Sequence, residues 1–275
     1  MSSREAEARK LERGLRGSAE KWFYGALVAK TLTLLVGVSA LIFYPTATQP
    51  SIIILLLYVV AELASWRHNT VRNDWEYLQR QLDAHNSLGW RLDQRKLADL
   101  SIEYKRLLTH LPPVNIAYDE YFASPESNGP KRALDNTQQS AWFAKHIAKS
   151  TWILYVTVLV FLALAAIIGL LVTTASPTNY NTVSSFSKIV TASLTFVVSV
   201  NLIHYTRGYF RYTRCAASVE NEIAAKLASG NYDLYEAIAL MHEYHLCHAA
   251  APMNPSLVWR WRRDDLNEQW RKYKS

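Results

Sequence analysis

The residues best suited to chemistry lie close together near the end of the chain. His242, His245 and His248 recur at intervals of three, and Cys247 stands between the last two. On a helix this spacing puts the imidazoles at neighbouring positions, and zinc accepts such mixed nitrogen and sulfur ligands. A zinc site also needs ligands from a second element, and no Cys-x-x-Cys pair occurs elsewhere. The pattern therefore favours a solvated histidine-rich helix, and we expect no metal.

Motifs of catalytic chemistry are missing from the sequence. It contains no glycine-rich dinucleotide loop, no P-loop, no nucleophile elbow and no His-Glu-x-x-His motif. We therefore predict no catalytic residues, no cofactor and no enzyme. One enzymatic alternative remains, namely a membrane-bound enzyme that acts on lipid. Such an enzyme would have to use the helix from His242 to His248.

A ladder of polar residues runs into an otherwise apolar block at 189–204. Its members recur at spacings of four, three, four and four, which places them on one face of a helix. Polar groups inside a membrane face water or the interior of a bundle. Two roles stay open, namely the lining of a pore or hydrogen bonding between helices. The ladder starts at Ser184, and the candidates for either role are Lys188, Thr191, Thr195 and Ser199.

Small residues occupy every fourth position of the first apolar block, which predicts close packing against another helix. The four are Gly25, Ala29, Thr33 and Gly37. Two charges also fall within the first two apolar blocks, Lys30 and Glu62. Snorkelling to the membrane surface is their default role. A gating ion pair is the alternative, and it depends on the distance between them.

The polar ladder, the small residues and the two charges all lie in or next to four apolar blocks of the sequence. Charged residues make up 19 % of the chain, but they are concentrated between these blocks. The blocks are 22–44, 51–66, 151–171 and 189–204. A helix needs about 20 apolar residues to cross a bilayer, and the third block carries no charge at all. The second block is short, but only the segment 45–50 separates it from the first. The spacing predicts four transmembrane helices arranged as two hairpins.

Lysine and arginine are distributed so that they predict the orientation of these spans. Residues 1–21 carry six, residues 67–149 carry twelve and residues 205–275 carry ten, whereas the turns 45–50 and 172–187 carry none. We therefore expect both termini and the long middle segment to be cytosolic. The net charge of +7 follows mainly from this rule. It does not point to a nucleic-acid polymer as partner.

Five segments result, with helical patterns in the three that lie outside the membrane. They are a cytosolic N-terminal helix at 1–21, a first transmembrane hairpin at 22–66, a cytosolic helical segment at 67–149, a second hairpin at 150–204 and a cytosolic helical tail at 205–275. Gly89 ends one helix, and Asp93 caps another that is predicted to run from Gln94 to Leu108. Cys215 and Cys247 fall in the cytosolic tail, where we expect thiols to stay reduced. The fold class is an all-α membrane protein with helical cytosolic extensions.

The chain ends in a basic, aromatic and amphipathic helix that spans 259–273. Tryptophan and arginine side chains suit the surface of the inner leaflet. The same pattern suits an ordinary amphipathic helix that docks on the middle segment. Both interpretations stay open at this point.

Three phrases in the non-membrane segments carry a family resemblance. The first comprises Trp66-Arg67, Arg72, Leu78, Arg80, Leu82-Asp83 and Asn86-Ser87-Leu88-Gly89-Trp90. The second comprises Tyr121-Phe122-Ala123-Ser124, Gly129-Pro130-Lys131-Arg132 and Asn136 to Phe143. The third comprises Ala251-Pro252-Met253-Asn254-Pro255 and Arg263 to Trp270. With the two hairpins, they resemble the bacterial four-transmembrane effectors associated with cyclic-oligonucleotide synthases. The first half is also similar to the related two-span SLATT effectors.

The resemblance implies a role in CBASS-type anti-phage defence at the bacterial inner membrane. There a cyclic nucleotide signal triggers an effector that forms pores or disrupts the membrane. The partner that the resemblance implies is a cyclic nucleotide. The apolar blocks themselves predict the lipid bilayer as a partner, and a pore-forming mechanism requires further copies of the chain, because four helices of one chain hardly enclose a wide channel. No site residue carries over from the family. The alternative is a non-enzymatic scaffold that anchors a cytosolic partner protein.

Overall fold

The computed structural model describes residues 3–43, 49–111, 124–175, 190, 197 and 201–274. Within these ranges the chain forms eight helices and no strands, which confirms the all-α class. The helices are α1 (Ser3–Phe43), α2 (Gln49–Leu88), α3 (Gln94–Glu103), α4 (Lys105–His110), α5 (Pro130–Ala175), α6 (Leu202–Ser229), α7 (Leu234–Ala250) and α8 (Ser256–Lys274).

Local signals in the sequence account for several helix ends. Gly89 follows α2 with φ of +74°, a left-handed conformation that glycine adopts without steric cost. The Asp93 side chain accepts hydrogen bonds from the backbone N–H groups of Arg95 and Lys96 and so caps α3. Helix α5 begins at Pro130, where the missing N–H has no intrahelical acceptor to lose. The first two of these ends, at Gly89 and Asp93, lie where the sequence predicts them.

The predicted helix from Gln94 to Leu108 is wrong in one respect, because it is divided at Tyr104. This residue has φ of −101° and ψ of 23°, which ends α3 before α4 begins. Its side chain is buried, and its hydroxyl donates to Oδ2 of Asp74 at 2.7 Å. The residue at the break is therefore joined to α2 by a tertiary contact, and no local sequence signal marks the break.

Among the described residues, three helices are long and apolar enough to cross a membrane. They are Arg4–Ala40, Gln49–Leu88 and Pro130–Ile168. The helices that contain the first three apolar blocks are therefore compatible with transmembrane helices. The fourth block lies largely outside the described residues, and so do all four members of its candidate lining, Lys188, Thr191, Thr195 and Ser199.

The chain divides into two units. The polar unit comprises Met1–Glu20, Asn69–Thr151 and Gly208–Ser275, and the apolar unit comprises Lys21–His68 and Trp152–Arg207. Helices α1, α2, α5 and α6 contribute residues to both units.

Two hydrophobic clusters of described residues contribute to the core of the polar unit. The larger joins α1 and α2 to α3 through buried residues that recur at helical spacings of three and four, so that one face of each helix is covered. These are Ala8, Leu11, Leu15, Ala19, Val71, Trp75, Leu78, Leu82, Leu97 and Leu100. The smaller cluster packs α8 against α5 and consists of Trp142, Phe143, Ile147, Val258, Leu266 and Trp270.

In the apolar unit, by contrast, most large apolar side chains are exposed. Leu55, Leu56 and Leu63 of α2 and Phe161 and Leu164 of α5 are examples. A contiguous apolar exterior of this kind needs an apolar solvent or a protein partner.

Candidate functional site

A cavity of about 390 Å³ lies within the polar unit. Its volume falls in the range of about 300–1,000 Å³ that is typical of small-molecule sites. Helices α1, α2, α5, α6 and α7, the segment 252–254 and the start of α8 all contribute to its wall. The cavity is therefore assembled from parts of the chain that are remote in sequence.

Four arginines line this cavity, against two carboxylates. The arginines are Arg9, Arg13, Arg16 and Arg72, and the carboxylates are Glu12 and Asp83. Arg9 pairs with Glu5 and also donates to Oδ1 of Asn86 at 3.0 Å. Arg13 and Arg16 have exposed side chains, and neither forms a hydrogen bond or an ion pair among the described residues. The lining consequently carries an excess of positive charge.

Arg72 connects the cavity wall to the end of α7. Its Nε lies 2.6 Å from Oε1 of Glu76, and its Nη2 donates to the carbonyl oxygens of His248, Ala249 and Ala251. The last carbonyls of a helix lack intrahelical donors and carry partial negative charge, so a guanidinium stabilises them. Arg72 therefore stabilises the cavity wall by joining α2 to the end of α7.

Trp75 lies between an acid and a base of α1. Its Nε1 donates to Oε1 of Glu12 at 2.7 Å, and the guanidinium carbon of Arg16 lies 5.9 Å from the centroid of the indole ring. The indole is itself buried. Because the cation and the hydrogen bond both hold the ring, Trp75 presents a fixed aromatic surface to the cavity.

Aromatic side chains continue this surface around His248. Its ring centroid lies 5.6 Å from that of Trp75, 5.9 Å from that of Tyr212 and 6.3 Å from that of Tyr244. Loss of solvent around the imidazole, and then the nearby Arg72 guanidinium, lower the pKa of His248 from 6.5 to about 3. At neutral pH this histidine is therefore an uncharged member of an aromatic wall.

The segment between α7 and α8 closes another side of the cavity. Tyr209 donates from its hydroxyl to the carbonyl oxygen of Met253 at 2.7 Å. At Gly208 an added Cβ would lie 2.7 Å from the ring of Pro252, so only glycine permits this close approach. These contacts fix Pro252, Met253 and Asn254 as lining residues.

Two buried acceptors of the lining have no donor. The Oε1 of Gln79 and the Oδ1 of Asn254 are inaccessible to solvent, and neither accepts a hydrogen bond from any described residue. A buried polar atom without a partner is uncommon and costs free energy. A ligand that brings N–H or O–H donors would satisfy both.

The histidine-rich helix does not assemble a metal site within the described part of the chain. No group of three or more potential ligands is present there. His245 pairs with Asp83, with 3.1 Å between Nε2 and Oδ2, whereas His242 is exposed and His248 belongs to the aromatic wall. The three histidines therefore lie in three different environments and do not converge on one site.

The expectation that both cysteines stay reduced is wrong for this structure, because Cys215 and Cys247 form a disulfide. Their Cα atoms are 6.2 Å apart, within the range that a disulfide spans. The bond joins α6 to α7 across 32 residues of sequence. A count of two cysteines did not reveal this pairing, since only the packing of the two helices brings the sulfur atoms together.

The charged pair and the small residues predicted from the sequence lie in the apolar unit, and only some of them make the expected contacts. Lys30 and Glu62 lie close, with 3.6 Å between Nζ and Oε1. Of the small residues, Ala29 is buried, and a Cβ at Gly37 would lie 3.8 Å from Ile54 of α2. Thr33 donates to the carbonyl oxygen of Ala29 at 2.9 Å. An added Cβ at Gly25 meets no described atom within 4 Å.

The C-terminal helix docks on the polar unit. Val258, Leu266 and Trp270 are buried in the smaller cluster, and the ring centroids of Trp142 and Trp270 are 5.2 Å apart. Trp261, on the other side of α8, is 75 % exposed. Of the two sequence interpretations, the structure shows docking on the middle segment.

Most residues of the cavity were not singled out from the sequence. One signal was present, because Arg9, Arg13 and Arg16 recur at spacings of four and three on one helix. The positive-inside rule accounted for these charges without reference to a ligand. Gln79 and Asn254 carry no such signal, since only the tertiary structure leaves their oxygens without donors. No family model, curated protein or solved structure matches this chain.

Proposed function

We propose that this chain is an inner-membrane effector of a bacterial anti-phage defence system. It forms pores or otherwise disrupts the membrane when a cyclic nucleotide binds its cytosolic part. The observation that carries the proposal is the combination of two features in one chain. Long helices with exposed apolar side chains are compatible with a lipid bilayer, and the polar unit contains a cationic, aromatic cavity.

The chemistry of the cavity supports a nucleotide as the trigger. Arginine guanidinium groups bind phosphate through paired hydrogen bonds, and aromatic rings stack on nucleobases. Arg13 and Arg16 supply the first group, and Trp75, Tyr212 and Tyr244 supply the second. No lining motif points to catalysis, so ligand binding is the role we assign to the cavity.

The helices support a route by which binding reaches the membrane. Helices α1, α2, α5 and α6 contribute residues to both units. Four helices of one chain enclose too little space for a wide channel, so the active form is a homo-oligomer. Both termini and the polar unit face the cytoplasm in this proposal.

The test is dye and ion leakage from liposomes that contain the purified full-length protein. Leakage is measured with and without a panel of cyclic di- and trinucleotides, after protease protection has verified insertion. We expect leakage with a subset of the nucleotides and intact vesicles without them. Intact vesicles under every condition would contradict the effector and would favour the scaffold, whose signature is a co-purifying cytosolic protein.

A second arm tests the lining predicted from the sequence. Thr195→Phe and Ser199→Phe place bulk on the polar ladder of the fourth apolar block, and we expect both to alter leakage while insertion is retained. The matched control is Val197→Phe, which lies between them in the chain. Unchanged leakage in well-inserted Thr195 and Ser199 variants would count against this helix as the lining.

A further inference from the structure

We infer that the cavity of the polar unit is a nucleotide site that selects an amino-bearing base. In this site Arg13 and Arg16 bind phosphate, and the amide oxygens of Gln79 and Asn254 accept hydrogen bonds from the base. The inference rests on the proposed function, and it deepens that function by assigning the binding residues and the class of base.

The phosphate contact is assigned from the surroundings of the four arginines. Arg9 is held by Glu5 and Asn86, and Arg72 is held by Glu76 and the end of α7. Arg13 and Arg16 have neither a hydrogen bond nor an ion pair among the described residues, although both line the cavity. Because they are three positions apart on α1, they lie on neighbouring positions of one helix face. Two adjacent guanidinium groups match the oxygens of a phosphodiester.

The ring contact is assigned from the aromatic wall. Trp75 is held in place by Glu12 and Arg16, and the rings of Tyr212 and Tyr244 surround His248. Trp75, Tyr212, Tyr244 and His248 all line the cavity. A nucleobase stacks on such surfaces whatever its identity, because every base has a π face. Stacking therefore contributes affinity, and it leaves the choice of base to hydrogen bonds.

The choice of base is assigned from the acceptors without donors. The Oε1 of Gln79 and the Oδ1 of Asn254 are buried in the lining and receive no hydrogen bond within the described residues. Adenine, guanine and cytosine each present an exocyclic NH₂ group with two donor hydrogens, whereas uracil has no amino group and its one donor, N3–H, lies between two carbonyl oxygens. An acceptor oxygen facing a carbonyl oxygen is repelled and stays unsatisfied. The two amides therefore favour bases with an amino group.

The experiment measures binding to the full-length protein in detergent by isothermal titration calorimetry. The probes are cyclic di- and triadenylate, and cyclic di- and triuridylate. We expect at least one adenine probe to bind about tenfold or more tightly than its uridine counterpart. Equal affinity of the adenine and uridine probes, or no binding of any probe, would overturn the inference.

Two sets of variants then locate the site. The double variant Arg13→Ala/Arg16→Ala is expected to weaken adenine binding by about tenfold or more, because charged hydrogen bonds are lost. Gln79→Met keeps the length of the side chain and removes the acceptor, so the preference for adenine over uracil should fall. The control is Arg106→Ala, an exposed arginine of α4 that does not line the cavity. Unchanged binding in the folded double variant would overturn the assignment.

Leakage measured in parallel separates the two claims. If a nucleotide still causes leakage of the Arg13→Ala/Arg16→Ala protein at the wild-type concentration, the proposed function stands and the assigned site is wrong. If the wild-type protein binds the adenine probe through these residues and the vesicles stay intact, the site stands and the pore-forming function is wrong.

Discussion

Helix α2 carries leucines in both units of the molecule, and their surroundings are opposite. Leu55 and Leu56, in the apolar unit, are each 60 % exposed, whereas Leu78 and Leu82, in the polar unit, are 3 % and 2 % exposed. The residue type is the same, so composition does not account for the contrast. In the polar unit α1, α2 and α3 cover one another, whereas in the apolar unit the described residues leave more than half of the surface of Leu55 and Leu56 uncovered. The contrast is compatible with a helix of which one part packs into a protein core and the other part faces an apolar environment.

The largest expected effect is the loss of packing in the polar unit. We expect Leu82→Ala to lower stability by about 2–5 kcal/mol, because it removes buried methyl groups and leaves a cavity. The matched change Leu56→Ala should cost less than about 1 kcal/mol, since that side chain has little protein around it. Thermal unfolding of both variants in detergent, followed by circular dichroism, makes the comparison. Equal destabilisation by the two changes would contradict the contrast between the units.

The reverse experiment introduces charge on the apolar side. Arginine near the centre of a membrane helix costs about 2.5–3.5 kcal/mol. We therefore expect Leu56→Arg to reduce the inserted fraction of the protein in a translocation assay. Ile102→Arg, at an apolar residue of the polar unit that is even more exposed than Leu56, should leave insertion unchanged. Full insertion of the Leu56 variant would show that α2 does not contact lipid there.

A smaller effect concerns the pH dependence of the polar unit. The pKa of His248 is lowered from 6.5 to about 3 in the folded protein, so between these values the unfolded chain binds more protons. The stabilising contribution is complete above pH 6.5 and is lost as the pH falls towards 3. Lowering the pH from 6.5 to 5 should cost about 2 kcal/mol.

The variant His248→Gln removes this proton uptake, and we expect stability to depend less steeply on pH. Unfolding temperatures at pH 5 and pH 7 give the difference. His242→Gln, on the exposed side of the same helix, is the matched control. An unchanged slope in the His248 variant would show that another group governs the acid sensitivity.

The smallest expected effect lies at the charged pair of the apolar unit. Lys30 and Glu62 are 3.6 Å apart, with side chains that are 14 % and 50 % exposed. A half-exposed pair of this kind contributes at most about 1 kcal/mol, so Glu62→Gln should hardly change stability. We also expect no leakage without ligand in that variant. Leakage of unliganded Glu62→Gln vesicles would assign the pair to gating instead.

Local features of the fold were open to prediction from the sequence. Gly89 ends α2, Asp93 caps α3, and Gly230, with φ of +71°, follows α6. Each of these signals acts within a few residues, so no knowledge of the fold is needed. The break at Tyr104 was not predicted, because no local sequence signal marks it, and the residue contacts Asp74 on another helix only in the folded chain.

The candidate site could be predicted only in part. A run of arginines on α1 was visible, but its charges had a sufficient explanation in membrane orientation. Gln79 and Asn254 lie 175 positions apart, and nothing in their neighbourhoods marks them as members of one cavity. The disulfide between Cys215 and Cys247 was missed for the same reason.

The sequence by itself determined the helical class and the apolar character of three long helices. Both depend on hydrophobicity and periodicity along short stretches, which are local properties of the chain. Only the tertiary structure decided which arginines are engaged in the fold, which amide oxygens lack donors and which cysteines meet. Those properties arise when residues far apart in the chain pack together, and the packing of the helices alone brings them into contact.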